Sequence, residues 1–372
     1  MRVLVAPDSF KGSISAADAA AAIAAGWRTR RPADEVVELP LADGGEGTLD
    51  AIRAARPGSV LHALDVTGPD GRTVAASWLE IPSPEGSIAV VEFAATSGIT
   101  LLDRPLPLDA QSTGFGEAVA DALDHGCRVL LLTLGGSGSS DGGQGILTAL
   151  GARLLDAGGE PIAPGNRGLD ALDRIDVSGL RRPPAGTEVI VLSDVTNPLL
   201  GPEGAIAVFG EQKGVTASVA TAAEANLARY ARMLGDVLPV DPATPGAGAA
   251  GGAGFGLLAW GASLVSGARH VGEVIGLPAA VSGVSLVITG EGRYDAQSEG
   301  GKATGSLRAL AAGLGVPCAL VAGQIAGASG SGAFVDQVSL TDAAGSSEAA
   351  LREPARWLTT AGERLADRFG AG

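Results

Sequence analysis

Residues 1–13 read MRVLVAPDSFKGS. The apolar run Met1-Arg2-Val3-Leu4-Val5 reads as a short buried strand, and it passes directly into Asp8, Ser9, Lys11 and Gly12. In open α/β sheets ligands sit just outside the carboxyl ends of the strands, where loops carry polar groups into a crevice. The stretch therefore predicts an α/β sheet with residues 6–13, APDSFKGS, as one wall of a ligand site. A helix entry follows closely. Ser13 or Ser15 can cap the alanine-rich segment beyond, Ser15 with Asp18 forms a weak capping box, and this cap requires neither Asp8 nor Lys11.

The first 60 residues read as strand 3–6, helix 15–30, strand 35–41, loop, and helix 47–55. Between Val60 and Phe93 the pattern changes to three short β-rich runs separated by GPDGR (68–72) and PSPEG (82–86), which predicts an antiparallel meander. A helix over 114–125, a buried strand over 128–134 and a helix over 145–156 follow, with further strands at 188–192 and 285–288. After residue 285 the chain returns to alternating β and α, with helices at 304–314 and 346–368. The simplest organisation is an α/β protein of two domains, one made from both chain ends (residues 1–60 and 282–372) and an inserted mixed α/β domain, 61–281.

Composition limits the function. The formal charge of −15 disfavours nucleic acid and anionic membrane surfaces as partners, so any phosphate must be met by local cations, backbone amides or a metal. Cys127 and Cys318 lie beside apolar runs, as suits buried thiols in a reducing cytoplasm. No run reaches the roughly 20 apolar residues of a membrane span, and the N-terminus lacks a signal-peptide pattern, so a cytoplasmic location is expected. The segment GAGAAGG (246–252) spells a dinucleotide fingerprint but follows DPATP instead of a strand, and it fails as one. No Walker loop occurs, and His62, His125 and His270 form no evident triad.

Glycine- and acid-rich loops at strand ends carry the chemistry. LADGGEGT (41–48) sets Asp43 and Glu46, a pair suited to Mg²⁺, beside Gly44 and Gly45, whose backbone can approach a ligand. LGGSGSSDGGQG (134–145) offers Gly135, Gly136 and Ser137 as a phosphate cradle and Asp141 as a cap or metal contact. SDVTNPLLGPEGAIAVFGEQKG (193–214) supplies Asp194, Asn197 and Lys213, and TGEGRYDAQSEGGK (289–302) supplies Glu291, Arg293, Asp295 and Lys302. Any one of these is ordinary turn chemistry taken alone. Together they match what phosphoryl transfer needs: carboxylates for a divalent cation, cations for developing phosphate charge, and amides for oxygens.

Read in order, APDSFKGS, LADGGEGT, LGGSGSSDGG, SDVTNPLLGPEGAIAVFGEQKG, GAGAAGGAGFG and ITGEGRYDAQSEGGK resemble the successive signatures of the type I bacterial glycerate kinases, from residue 6 to about 302. The resemblance implies a two-domain α/β architecture whose domain from both chain ends is a Rossmann-like parallel three-layer domain. It also implies ATP- and Mg²⁺-dependent phosphorylation of D-glycerate, with the 2-phosphate favoured as product, by a monomer or homodimer with its site in a cleft between the domains. On that reading Lys11 and backbone amides meet the glycerate carboxylate, and the glycine loops and a lysine meet the ATP phosphates. Asp43 or Asp194 holds Mg²⁺, and Asp194, ahead of Asp8, acts as the base. A Mg²⁺-dependent phosphatase of small phospho-acids and an organic-acid binding protein are the alternatives.

Overall fold

The computed structural model describes residues 1–295, 298, 303–326 and 332–369. Its strands are β1 (Arg2–Pro7), β2 (Glu35–Glu38), β3 (Val60–Thr67), β4 (Thr73–Ile81), β5 (Ile88–Glu92), β6 (Val129–Thr133), β7 (Arg153–Leu155), β8 (Arg174–Asp176), β9 (Glu188–Leu192), β10 (Ser263–Val265), β11 (Leu286–Tyr294), β12 (Cys318–Ile325) and β13 (Asp336–Ser339). The chain divides into two compact units, one of Met1–Asp43, Asp50–Pro57 and Ala268–Gly372, the other of Gly44–Leu49 and Gly58–Gly267.

The first unit is built on a five-stranded sheet of order β13-β12-β11-β1-β2, parallel throughout. Val3 to Ala6 are wholly buried, which explains why β1 is a continuous apolar run and not an alternating one. Val3, Val5, Leu286, Ile288, Ala319 and Val321 face helices Ala16–Arg30 and Pro354–Arg368, whose Ile23, Trp27, Leu358 and Leu365 complete that core. Alternation turns Leu4, Val287 and Leu320 to the opposite face. There helix Ala303–Gly313 packs against β11 and β12, giving three layers. Counted along this unit, the strand order is 2-1-3-4-5. The direction of winding reverses between β1 and β11, and in doubly wound sheets that switch point opens a crevice at the carboxyl ends of the strands.

The second unit holds a six-stranded mixed sheet of order β10-β9-β6-β5-β4-β3. The meander predicted between Val60 and Phe93 is present: β3, β4 and β5 pair antiparallel, and β5, β6, β9 and β10 continue in parallel. Several expected elements differ in extent. β11, expected over 285–288, runs on to Tyr294 beside β12, so Glu291 and Arg293 lie within the strand and not in a loop after it. The helix expected to run to residue 156 covers only Gln144–Ala149; Ala152 N donates to Leu147 O, and β7 follows, pairing antiparallel with β8 so that Leu154 and Ile175 join the core while Leu155 is also buried. The C-terminal helix is two, Ser347–Arg352 and Pro354–Arg368, because Pro354 lacks the amide to continue the first and serves as the opening residue of the second. β2 ends at Glu38, although Leu39 and Leu41 amides still reach Val5 and Pro7 carbonyls.

Candidate active site

The crevice at the β1/β11 switch point is a cavity of about 360 Å³ within the first unit. Asp8, Ser9, Lys11, Asp43, Glu291, Arg293 and Asp295 line its polar part. β1 and β11 deliver the two deepest acids: the Asp8 amide donates to Gly290 O at 2.8 Å, which extends the ladder by one residue and fixes Asp8 beside Glu291. Asp8 and Glu291 are buried, at 9% and 7% exposure, whereas Asp43 is half-buried and Lys11 and Arg293 are exposed. The Ser9 amide donates to Asp8 Oδ1 at 2.6 Å, and Arg293 Nε lies 3.6 Å from Asp295 Oδ2.

Burial raises the Asp8 carboxyl from its ordinary 3.8 to about 7, with the charges of Asp43 and Glu291 adding to the rise and the Ser9 amide and Lys11 opposing it. Carboxylates crowded so that one resists ionisation form a set of hard oxygen donors that a divalent cation would relieve. The residues present therefore fit Mg²⁺. Among the described residues no three His, Cys, Asp or Glu side chains form a ready-made metal cage. Mg²⁺ bound with substrate phosphates needs only one or two protein carboxylates. Lys302 lies outside the described residues.

In the second unit the sequence-marked loops hold one another in place. The Gly135 amide donates to Gly44 O at 3.1 Å, and a Cβ on Gly135 would lie 2.2 Å from the Gly45 Cα, so these glycines permit two loops to touch backbone to backbone. Asp141 is wholly buried. Its Oδ2 accepts from Ser112 N, Ser112 Oγ and Gly145 N, and its Oδ1 accepts from Gly143 N. The amides of Gly138, Gly142 and Gln144 also end on protein carbonyls, so much of the 134–145 loop is internally bonded, while Gly136 is exposed. Lys213 Nζ donates to Ser137 Oγ at 2.7 Å and Ser139 O at 2.6 Å, and burial lowers its pKa to about 7 against the attraction of Asp141. Facing it is the second half of GAGAAGG, where Ala250, Gly251 and Gly252 are successively left-handed and the Gly142 amide donates to Gly251 O.

Asp194 Oδ1 accepts from Ser266 Oγ at 2.7 Å and Gly267 N at 3.0 Å, which ties the end of β9 to the end of β10. Asn197 Nδ2 donates to Glu203 O, and Glu46 is exposed. Glu92 is a residue the sequence reading missed. Buried at the end of β5, it accepts from the amides of Gly47 and Leu49 and so holds the DGGEG loop. A charged residue ending the apolar run IAVVE was the available signal. Asn166 was also missed; its buried Nδ2 donates to Ser140 O and Ala223 O.

The profile of the glycerate kinase family matches residues 3–370, nearly the whole chain. The chain belongs to the glycerate kinase family. It is similar to the glycerate 2-kinase of Escherichia coli, 42% identical over 306 residues that make up 81% of this chain and 80% of that one. The glycerate kinase of Bacillus subtilis is 42% identical over 329 residues, 87% of this chain and 85% of its own. A crystal structure from Salmonella typhimurium LT2, provisionally described as glycerate kinase 2, matches with a TM-score of 0.83 and 38% identity, covering 100% of this chain and 99% of that one. This glycerate kinase family member is thus a phosphotransferase, of the type I class that its ordered loops resemble. No helix among its described residues is long and apolar enough to cross a membrane.

Proposed function

We propose that this protein transfers the γ-phosphoryl group of ATP to D-glycerate, giving 2-phosphoglycerate, in a Mg²⁺-dependent reaction. The observation that carries the reading is the convergence of Asp8, Asp43, Glu291 and Lys11 at the switch-point cavity. Asp8 serves as the base: it accepts the proton of the attacking hydroxyl as that oxygen bonds the γ-phosphorus, and the β–γ bridging oxygen leaves with its electron pair as ADP. Its support over Asp194 is positional. Asp8 is buried beside the other acids and oriented by the Ser9 amide, whereas Asp194 is bonded to Ser266 and Gly267. Lys11 and Arg293 offset the charge of the glycerate carboxylate and the transferring group. Asp43 and Glu291 would hold Mg²⁺, which when bound supplies neutralisation of phosphoryl charge. Asp141, Lys213 and Glu92 hold the loops of the second unit that carry Gly44, Gly45, Gly136 and Ser137. Buried free thiols at Cys127 and Cys318 favour a reducing, cytoplasmic setting.

The test is purified protein with ATP, Mg²⁺ and D-glycerate, followed through enolase with and without phosphoglycerate mutase. Enolase accepts only the 2-phosphate, so phosphoenolpyruvate without mutase is the expected result. Signal only with mutase means the 3-phosphate, and no product in either arm refutes the proposal.

A further inference from the structure

The acids explain only one end of the switch-point cavity. At the other end Leu340, Ala350, Leu351 and Pro354 supply an apolar surface, with Gln324 and Thr341 as polar side chains beside it. Leu340 and Ala350 are buried at 2% and 5% exposure, while Leu351 stands 61% exposed, a large apolar side chain at the mouth with nothing over it among the described residues. Thr341 Oγ1 donates to Gly323 O at 2.8 Å, so its position is fixed. A cavity of about 360 Å³ falls within the roughly 300–1,000 Å³ occupied by larger organic ligands, and it exceeds what a three-carbon hydroxy acid fills. A hydroxy acid also has no apolar face to place against these residues. The ligand that matches both ends joins a flat, largely apolar ring system to a polyanion.

We infer that the Leu340–Pro354 end of this cavity is the base subsite for the nucleotide donor, so the parallel-sheet unit binds ATP with its phosphates directed toward Asp8, Asp43 and Lys11. The inference rests on the phosphotransferase reading above. Gln324 offers an amide to ring nitrogens or ribose oxygens, Thr341 Oγ1, its proton donated to Gly323 O, accepts from a ribose hydroxyl or an exocyclic amino group, and the leucines and Pro354 cover the ring face. A doubly wound sheet commonly uses its switch point for nucleotides, and here Leu340, Ala350, Leu351 and Pro354 follow β13 at the sheet edge, with Phe10 a further apolar side chain beside the acids.

The experiment measures binding apart from turnover. Wild type and Leu351→Asp are titrated calorimetrically with the non-hydrolysable analogue AMP-PNP plus Mg²⁺, and separately with tripolyphosphate plus Mg²⁺, with melting temperature as the folding control. AMP-PNP affinity is expected to fall tenfold or more in the variant, with tripolyphosphate affinity unchanged within twofold. Leu351→Ala, milder and at the same exposed position, is expected to show a smaller loss in the same pattern. Equal AMP-PNP binding by wild type and both variants overturns the inference, as does a wild type that binds tripolyphosphate but gains nothing from the nucleoside. A wild type that binds AMP-PNP in the expected pattern but leaves D-glycerate unphosphorylated upholds the subsite and refutes only the substrate assignment.

Discussion

Replacing Gly251 by alanine places a methyl group where backbone atoms already lie. The new Cβ would sit 2.2 Å from Ser139 O, 2.7 Å from Ser140 Cα and 2.9 Å from Lys213 Nζ, at a residue whose φ is +67°. Left-handed backbone costs a non-glycine residue about 1–2 kcal/mol. Overpacking against atoms that cannot rotate away adds about 1–3 kcal/mol, so the local cost is roughly 2–5 kcal/mol. Two of the three close neighbours are backbone, and Ser139 O is also an acceptor for Lys213, so relief by movement breaks the lysine's hydrogen bond. Ala250 next door predicts the opposite sign. It already carries a side chain at φ +52°, and Ala250→Gly relieves about 1–2 kcal/mol of strain against an entropic loss of about 0.5–1 kcal/mol. A two-unit chain need not melt in one step, so the assay is hydrogen exchange at Gly142, Gly143, Gln144 and Gly145, whose amides are bonded in this loop. Gly251→Ala is expected to speed their exchange by roughly 30-fold to several thousandfold, at tenfold per 1.4 kcal/mol, and Ala250→Gly to leave it unchanged or slower. Unchanged protection in Gly251→Ala, or faster exchange in Ala250→Gly, refutes the reasoning.

Three other outcomes are expected. Asp8→Asn should keep its melting temperature and lose about 3 kcal/mol or more of transition-state stabilisation, a kcat fall of at least a hundredfold, while Asp194→Asn stays within about tenfold of wild type; a near-normal kcat for Asp8→Asn in the enolase-coupled assay removes it as the base. Lys213 titrates near 7 when folded and near its ordinary 10.5 when unfolded, so between those values the unfolded chain binds more protons and stability rises with pH; urea midpoints from pH 7 to 10 should climb in wild type and stay flatter in Lys213→Met, and parallel profiles contradict this. Asp34 is pushed up by burial but held at about 2 by hydrogen bonds from Arg31, the N-terminal ammonium and Trp27; its contribution is present above pH 4 and is lost as the pH falls toward 2, so thermal unfolding of Asp34→Ala should converge with wild type in acid, and a constant gap across that window is the contrary result.

The strand-to-helix alternation was legible because burial on both faces makes β1 and β6 continuous apolar runs, and such runs carry their own signature. The β7–β8 pair was not legible. RLL and RID are three-residue strands about twenty residues apart, and what makes Arg153–Leu155 extended is a partner that local periodicity cannot reveal. The site divides along similar lines. APDSFKGS and TGEGRYD announce acids at strand ends, and the adjacency of β1 and β11 brings Asp8 and Glu291 to one cavity. That adjacency is a matter of sheet order, which the sequence does not spell out.

LGGSGSSDGG carries just as strong a signal, yet its acid is fully bonded to amides and its lysine partner is buried. Sequence supplies donors and acceptors without their pairing, and a glycine- and acid-rich loop that encloses its own hydrogen bonds has the same composition as one that leaves them for a ligand. What separates the two is burial with partners. Asp141 is wholly buried with four donors on its carboxylate, whereas Asp8 is crowded by Asp43 and Glu291 along a cavity wall. Four amide and hydroxyl donors stabilise a buried charge and fix a loop; three carboxylates at close range repel and attract a cation. By that distinction the polar chemistry of the first unit is directed toward a ligand, and that of the 134–145 loop is largely directed inward, toward holding its own shape.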